Sequence, residues 1–129
     1  MTQKKGFEEL IAWQKARDLV RNIHEVTNTG LFSRNRSLRD QICRASVSTM
    51  SNIAEGFERE GDKEFVQFLS QAKASCGEVR SQLFVALDLG YVNEVEFNAL
   101  SNLALETSRV IAGLIGYLKK SEYKGSKFK

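Results

Sequence analysis

Few residues of this chain are of the types that carry out acid–base or metal chemistry. His24 is the sole histidine, and Cys43 and Cys76 are the only cysteines. A structural metal site needs several histidine or cysteine ligands, and a Ser-His-Asp triad would need His24 as its base, although no serine lies in a nucleophile motif. We therefore expect no catalytic residue, metal or cofactor. We expect His24 to be a half-exposed packing residue, and both cysteines to be reduced and apolar in role.

Basic side chains are the second group of candidate functional residues, because lysine and arginine bind phosphates. The net charge of +3 is divided as +3 over residues 1–36, −4 over residues 37–118 and +4 over residues 119–129. The candidate nucleic-acid contacts, besides Lys4 and Lys5, are Lys15, Arg17, Arg21, Arg34, Arg36, Arg39, Lys119, Lys120 and Lys124. The alternative is that these charges only keep the chain in solution. Since few aromatic residues stand among them, we expect any binding to depend on shape and charge.

Four amphipathic helices are predicted to position these residues. Apolar side chains recur every three or four positions over residues 10–29, from residue 37 to about 57, over residues 62–90 and over residues 93–120. The chain has no proline and only nine glycines, which favours long helices over a β-sandwich. Because the connections between the helices are short, neighbouring helices must run antiparallel. The predicted fold is therefore an all-α, up-down-up-down four-helix bundle.

The same patterns predict how the chain is organised as a whole. We expect a single domain over residues 1–129, with its core at about residues 7–120 and a mobile basic tail at residues 121–129. No apolar run approaches the roughly 18 residues that cross a membrane. The first residues lack the apolar stretch of a secretory signal. We therefore expect a cytoplasmic protein with no membrane partner.

Local signals refine the predicted helices. Capping boxes are expected at residues 37–40 and 93–96. Gly77, Gly113 and Gly116 stand inside helices, where glycine costs stability, so we expect a neighbouring helix to approach closely at these positions.

The second helix is unusual because it is apolar on two faces. One stripe consists of Leu38, Ile42, Ala45, Thr49 and Ile53, and the other consists of Cys43, Val47, Met50, Ala54 and Phe57. Such a helix lies deep in a bundle or also faces another subunit.

The order of the helices leads to an expectation about the basic residues. We expect the connection between the first and second helices to lie at the same end as the C-terminus of the fourth helix. Arg34, Arg36, Lys119 and Lys120 would then converge, and symmetric copies of the chain would repeat this patch as a basic rim.

A resemblance to a known family is carried by the second helix. The run of residues 41–56, QICRASVSTMSNIAEG, resembles the signature of four-helix bundle proteins found as open reading frames in intervening sequences of bacterial large-subunit ribosomal RNA genes. The resemblance covers about residues 7–120. Its further matches are Phe7 to Leu10, Trp13 to Ala16, Lys63 to Phe65, Phe68, Leu69, Ser75, Glu78, Leu89 to Tyr91 and Gly113 to Ile115. Cys43 stands where the family commonly has arginine or lysine.

The resemblance implies properties that periodicity does not give. The family fold is an antiparallel four-helix bundle, and members assemble as homo-oligomers, notably pentamers. A related group serves as accessory protein of diversity-generating retroelements, where it binds nucleic acid and partners a reverse transcriptase. The resemblance thus implies a non-catalytic, oligomeric protein that binds RNA or another nucleic acid. The alternative is a protein-interaction scaffold or accessory subunit, such as a reverse-transcriptase partner, without its own activity.

The polar stripe of the signature has two interpretations. In the structural one, which we favour, a hydrogen-bonded layer between helices excludes water and pairs Arg44 with Glu78. In the functional one, Arg44 and its neighbours line a site at a subunit junction. The residues of this stripe and layer are Gln41, Arg44, Ser48, Asn52, Glu55 and Glu78.

Overall fold

A computed structural model describes the backbone of residues 6–127 and the side chains of residues 6–121. This part of the chain holds four α-helices, two single 3₁₀ turns and no strand. The 3₁₀ turns are Phe7–Glu9 and Phe32–Arg34, and the helices are α1 Ile11–Thr27, α2 Arg36–Glu58, α3 Asp62–Asp88 and α4 Glu94–Lys127. The predicted all-α fold is confirmed. No helix among the described residues is long and apolar enough to cross a membrane.

Contacts between helices fix the antiparallel order. Between α2 and α3, Ser48 contacts Ser75 and Gly56 contacts Phe68. The residue number rises along α2 as it falls along α3, so the two helices are antiparallel. From α3 to α4, Cys76 bonds to Ala104 while Phe84 lies against Phe97. Helix α1 packs against both α2 and α4, which closes the ring. The predicted up-down-up-down bundle is therefore confirmed.

The core consists of two clusters of buried side chains, one toward each end of the bundle. The first cluster includes Leu19, Phe32, Ile42 and Leu83, and the second includes Ala12, Ile53, Leu69, Ile111 and Leu118. The first apolar stripe of α2 is buried throughout its length, as predicted. Its second stripe is only partly covered: Val47 is 42% exposed, and Cys43 lies beside Thr27 of α1.

Several helix ends differ from the sequence expectation. Helix α1 ends at Thr27, two residues early. Helix α2 begins at Arg36, because the side chain of Asn35 accepts a hydrogen bond from the Leu38 N–H at 3.1 Å. The expected box at residues 37–40 is therefore wrong, since a better cap stands two residues before it.

The start of α4 matches the prediction, and its end does not. Asn93 and Glu96 exchange backbone-to-side-chain bonds of 2.8 and 3.0 Å, which confirms the capping box. The helix continues to Lys127, so the expected irregular tail is wrong up to that residue. The expectation for residues 128–129 lies outside the described residues.

The close approach of two helices occurs at Gly56 and not at the expected glycines. A Cβ atom built at Gly56 would lie 2.7 Å from Phe68 Cβ and 2.9 Å from Phe65 Cδ1. At Gly77, Gly113 and Gly116 a Cβ would meet nothing within 4 Å among the described atoms. The prediction of close crossings at these three glycines is wrong, because all three lie on exposed faces of α3 and α4.

Candidate nucleic-acid interface

The basic residues that were expected to converge lie at opposite ends of the bundle. The connection between α1 and α2 packs against the turn between α3 and α4: Asn35 donates to the Tyr91 hydroxyl at 3.1 Å, and the rings of Phe32 and Tyr91 are 5.4 Å apart. The end of α4 instead reaches the start of α1, because Leu118 belongs to the core cluster of Ala12.

The predicted common end is therefore wrong, and the reason is geometric. Each antiparallel helix reverses the direction of the chain, so the first and third connections share one end. The chain leaves the bundle at the other end, where Lys119 and Lys120 follow the last buried residue described in α4. The side chain of Lys124, and the residues Lys4 and Lys5, lie outside the described part of the chain.

Three arginines remain together in what we call the arginine segment, residues 34–39. It carries Arg34, Arg36 and Arg39 and no acidic residue. Arg34 and Arg36 are exposed, and neither takes part in an ion pair within the described residues. Arg39 is less free, because it donates to the Ser33 carbonyl at 3.2 Å. Two of the three guanidinium groups are therefore available to an anion.

The arginine segment is held in place by the core. Phe32 is fully buried and packs against the ring of Tyr91, while Asn35 caps α2 and also donates a hydrogen bond to the Tyr91 hydroxyl. The segment contains the first turn of α2, whose backbone N–H groups and dipole add positive potential. A helix start that carries exposed arginines with no ion pair in the described part of the chain is an arrangement that favours phosphate oxygens.

The basic residues of α1 are more engaged. Arg21 pairs with Asp18 at 2.8 Å, and the Arg17 guanidinium lies 5.6 Å from the ring centre of Trp13. Lys15 forms an ion pair with Glu106 of α4, whose hydrogen bond and charge raise the pKa of Lys15. Lys15 therefore links two helices, whereas Arg17 and Arg21 stay exposed along α1.

The opposite end of α2 has the opposite charge. We call residues 55–64 the carboxylate segment, because it carries five acidic and two basic residues. Its ion pairs are local: Arg59 lies 3.1 Å from Glu55 and 3.8 Å from Glu64. A groove of 310 Å³ between α1 and α4 is also lined by carboxylates, Glu25 and Glu96. Neither region favours a phosphate backbone.

The predicted polar layer is only partly formed. Ser48 lies 3.0 Å from Ser75, and Asn52 donates to the Ser48 carbonyl at 2.9 Å and to its hydroxyl at 3.1 Å. Arg44 and Glu78 are both exposed and make no ion pair within the described residues, so the water-excluded pair is wrong. Both side chains therefore lie at the edge of the contact between α2 and α3, and not at its centre.

The remaining residues of the polar stripe also lie at the surface. Gln41 donates to the Ser37 hydroxyl at 3.1 Å, and Glu55 pairs with Arg59. The structure nevertheless brings part of the stripe together. A cleft of 270 Å³ between α2 and α3 is lined by Gln41, Arg44, Ala45, Ser48, Glu78 and Gln82.

Two residues of this region were not assigned to the polar layer from the sequence. Ser75 completes the contact of Ser48, and Gln82 lines the cleft with a buried Oε1 atom that has no hydrogen-bond partner. A signal was present, because Ser75, Glu78 and Gln82 recur at spacings of three and four and therefore share one face of α3. Their polarity separates this face from the apolar core stripe.

The residues with nucleophilic or metal-binding chemistry are dispersed. His24 is half-buried, with Nδ1 2.8 Å from the Val20 carbonyl oxygen. Cys76 is buried and lies 3.0 Å from the Ala104 carbonyl oxygen, and burial raises the pKa of its thiol to about 11. No three potential metal ligands come together within residues 6–121.

Comparisons with known proteins agree with this architecture. A crystal structure of a protein of unknown function from the S23 ribosomal protein family of Bacteroides thetaiotaomicron superposes with a TM-score of 0.75. The match has 17% sequence identity and covers 81% of this chain and 98% of the other, so it supports the fold alone. No curated protein matches the chain. The model of the 23S rRNA-intervening sequence protein family matches residues 8–113, which is most of the sequence, and the chain therefore belongs to that family.

Proposed function

We propose that this chain is a non-catalytic RNA-binding protein, and that the arginine segment contacts the RNA phosphates. The observation that carries the proposal is that the guanidinium groups of Arg34 and Arg36, at the start of α2, are exposed and form no ion pair among residues 6–121. Arg17 and Arg21 extend the basic surface along α1. We propose that the protein acts in the cytoplasm.

Assembly into a homo-oligomer would strengthen this binding. A pentamer, the state that the family resemblance implies, would present five copies of the arginine segment. Weak phosphate contacts on linked copies add up to a higher avidity, provided that one RNA can reach several of them. Light scattering of the purified protein measures the subunit number, and a monomer would remove this part of the proposal.

The test uses two matched double variants, each of which removes two positive charges. Arg34→Gln/Arg36→Gln changes the arginine segment, and Lys119→Gln/Lys120→Gln changes the opposite end of the bundle. Fluorescence anisotropy with a structured RNA across a salt series gives the affinity and its salt dependence. Each lost phosphate contact reduces the slope of log affinity against log salt by about 0.7 to 0.9.

We expect the arginine variant to bind about 10-fold more weakly at low salt and to have a shallower slope. The lysine variant should bind like the wild type. Equal losses in both variants would mean that only net charge matters, and no binding by the wild type even at low salt would refute the function.

A second candidate function is a protein-interaction scaffold, with the retroelement-type accessory subunit as one form of it. The specific observation in its favour is the second stripe of α2, where Val47 is 42% exposed and Met50, Ala54 and Phe57 are only partly buried. Substitution Val47→Asp should abolish self-association or co-purification of a protein partner while leaving RNA binding by a single chain intact.

A further inference from the structure

The cleft between α2 and α3 has two opposite charges in its lining that do not neutralise each other. Arg44 belongs to α2 and Glu78 to α3, and both line the same 270 Å³ space. Neither forms an ion pair with any group in the described part of the chain. A ligand that offers hydrogen-bond acceptors to the guanidinium and donors to the carboxylate would satisfy both.

Gln82 also lines the cleft, and one of its polar atoms has no partner within the described residues. The Oε1 atom of Gln82 is buried and accepts no hydrogen bond, which is rare for a buried polar atom. The hydroxyl of Ser48 is already engaged by Ser75 and Asn52 and is therefore not the missing donor. The buried side chain of Ala45 adds a small apolar surface to the lining.

These groups define the chemistry of the ligand. Arg44 supplies a planar fork of donors, whereas the carboxylate of Glu78 supplies acceptors. Guanine presents two neighbouring acceptors, O6 and N7, which arginine recognises in a bidentate manner. It also carries the donors N1–H and the N2 amino group on the adjoining edge. Adenine has no acceptor at position 6 and no amino group at position 2, so it fits less well.

We propose that the α2–α3 cleft binds a guanine base. Arg44 donates to O6 and N7, and the carboxylate of Glu78 accepts from N1–H and the N2 amino group. The base can come from a free guanine nucleotide or from an unpaired guanine in RNA, since both offer the same edges.

An RNA source links the cleft to the arginine segment, and in this form the inference rests on the proposed function. Arg44 follows Arg36 by eight residues, which is about 12 Å along α2 at 1.5 Å per residue. An RNA whose phosphates contact the arginine segment can therefore place a splayed-out base over the cleft. Sequence-specific RNA recognition commonly uses such unstacked bases.

The test titrates GMP, IMP and AMP into the isotope-labelled protein and follows the side-chain resonances of Gln82 and Arg44 by NMR. IMP differs from GMP by the absence of the N2 amino group, and it therefore reports on the contact with Glu78. We expect saturable shifts with GMP and roughly 10-fold weaker binding of IMP. AMP should leave these resonances unchanged.

Two variants with the same charge change sharpen the result. Glu78→Gln should remove the preference for GMP over IMP, whereas Glu58→Gln, at the exposed end of α2, should keep it. Both side chains are exposed, so the fold should persist, and circular dichroism verifies it. No shift of Gln82 with GMP, or equal shifts with all three nucleotides, would overturn the guanine site.

The outcome of the GMP titration is independent of the proposed function. Arg34→Gln/Arg36→Gln lies outside the cleft and should leave GMP binding unchanged. If a hairpin RNA with a loop guanine binds more tightly than its inosine counterpart, the source of the base is RNA. If only free GMP discriminates, the guanine site stands with a nucleotide as its ligand.

Discussion

The two ends of α2 carry opposite charge. The arginine segment has three positive side chains and no negative one, whereas the carboxylate segment has five negative and two positive ones. Arg34 and Arg36 form no ion pair with the side chains that the structure describes, while Arg59 of the carboxylate segment contacts both Glu55 and Glu64. The net charge of +3 therefore does not indicate where on the molecule an anion would bind.

The two segments also differ in how they are fixed. The connection before the arginine segment carries a buried aromatic residue, Phe32, and a side-chain cap, Asn35. The carboxylate segment is fixed by close backbone packing at Gly56 and by the edge-to-face contact of Phe57 with Phe65.

The largest effect is expected from Phe32→Ala. Removal of a fully buried aromatic side chain costs about 3–5 kcal/mol of unfolding free energy, because it leaves a cavity. Phe57→Ala, at a half-buried ring of the carboxylate segment, should cost clearly less. Urea unfolding followed by circular dichroism measures both. Equal costs would show that the two connections are anchored alike.

The second effect concerns pH and the core cluster shared by Phe32 and Cys76. The folded thiol of Cys76 has a pKa of about 11, above its ordinary value of 9.0, so it stays protonated where the unfolded thiol ionises. This contribution to stability is complete below pH 9 and is lost as the pH rises from 9 through 11. The loss amounts to at most about 3 kcal/mol.

Chemical unfolding between pH 8 and 11 tests this dependence. The wild type should lose more stability over this range than Cys76→Ala, which has no thiol to ionise at this position. Cys43→Ala should behave like the wild type. If Cys76→Ala follows the wild-type pH profile, other groups cause the loss.

The third effect compares two glycines on helices that meet. Gly56→Ala should destabilise the protein by about 1–3 kcal/mol, because its Cβ would overlap Phe68 in a packed contact. Gly77→Ala should stabilise it by about 0.5–1 kcal/mol, because the position is open and alanine favours a helix. Thermal melts with opposite shifts are expected. A loss at Gly77 as well would reveal a contact with another chain.

The smallest effect is expected from neutralising the carboxylate segment. Glu58 lies 22 residues from Arg36, about 33 Å along α2, which is several times the roughly 8 Å Debye length at physiological salt. Glu58→Gln/Glu60→Gln should therefore change RNA affinity less than about 2-fold in that buffer. A larger gain in anisotropy titrations would mean that the RNA path extends to the carboxylate segment.

The helices were predictable because their apolar periods extend over 17 or more residues. Such long patterns indicate a helix more strongly than local signals do. In α4 both kinds of signal agree with the structure: the heptad-like core stripe and the capping box. Caps and ends were less predictable, since Asn35 and Ser37 compete for the start of α2 and only the geometry of the connection selects between them. Exposed and covered glycines look identical in the sequence, and for that reason Gly56 was not singled out.

The candidate interface was harder to predict than the fold. The basic residues could be chosen from the sequence alone. Which of them lie together in the fold, however, depends on the end of the bundle at which each helix finishes. Arg44 and Glu78 were correctly associated with one α2–α3 location, yet their rotation about the helix axes decides between a dry pair and an open cleft. Rotation of a helix by about 100°, which corresponds to one residue position, is enough to change a dry pair into an open cleft. Sequence periodicity does not define the rotation of a helix to that accuracy.

The even number of antiparallel helices has a practical consequence. Because α1 starts and α4 ends on the side of the carboxylate segment, a fluorophore or an affinity handle joined ahead of α1 or behind α4 is attached far from Arg34 and Arg36. Immobilised on a sensor chip through either attachment, the bundle would turn its arginine segment toward the flowing sample.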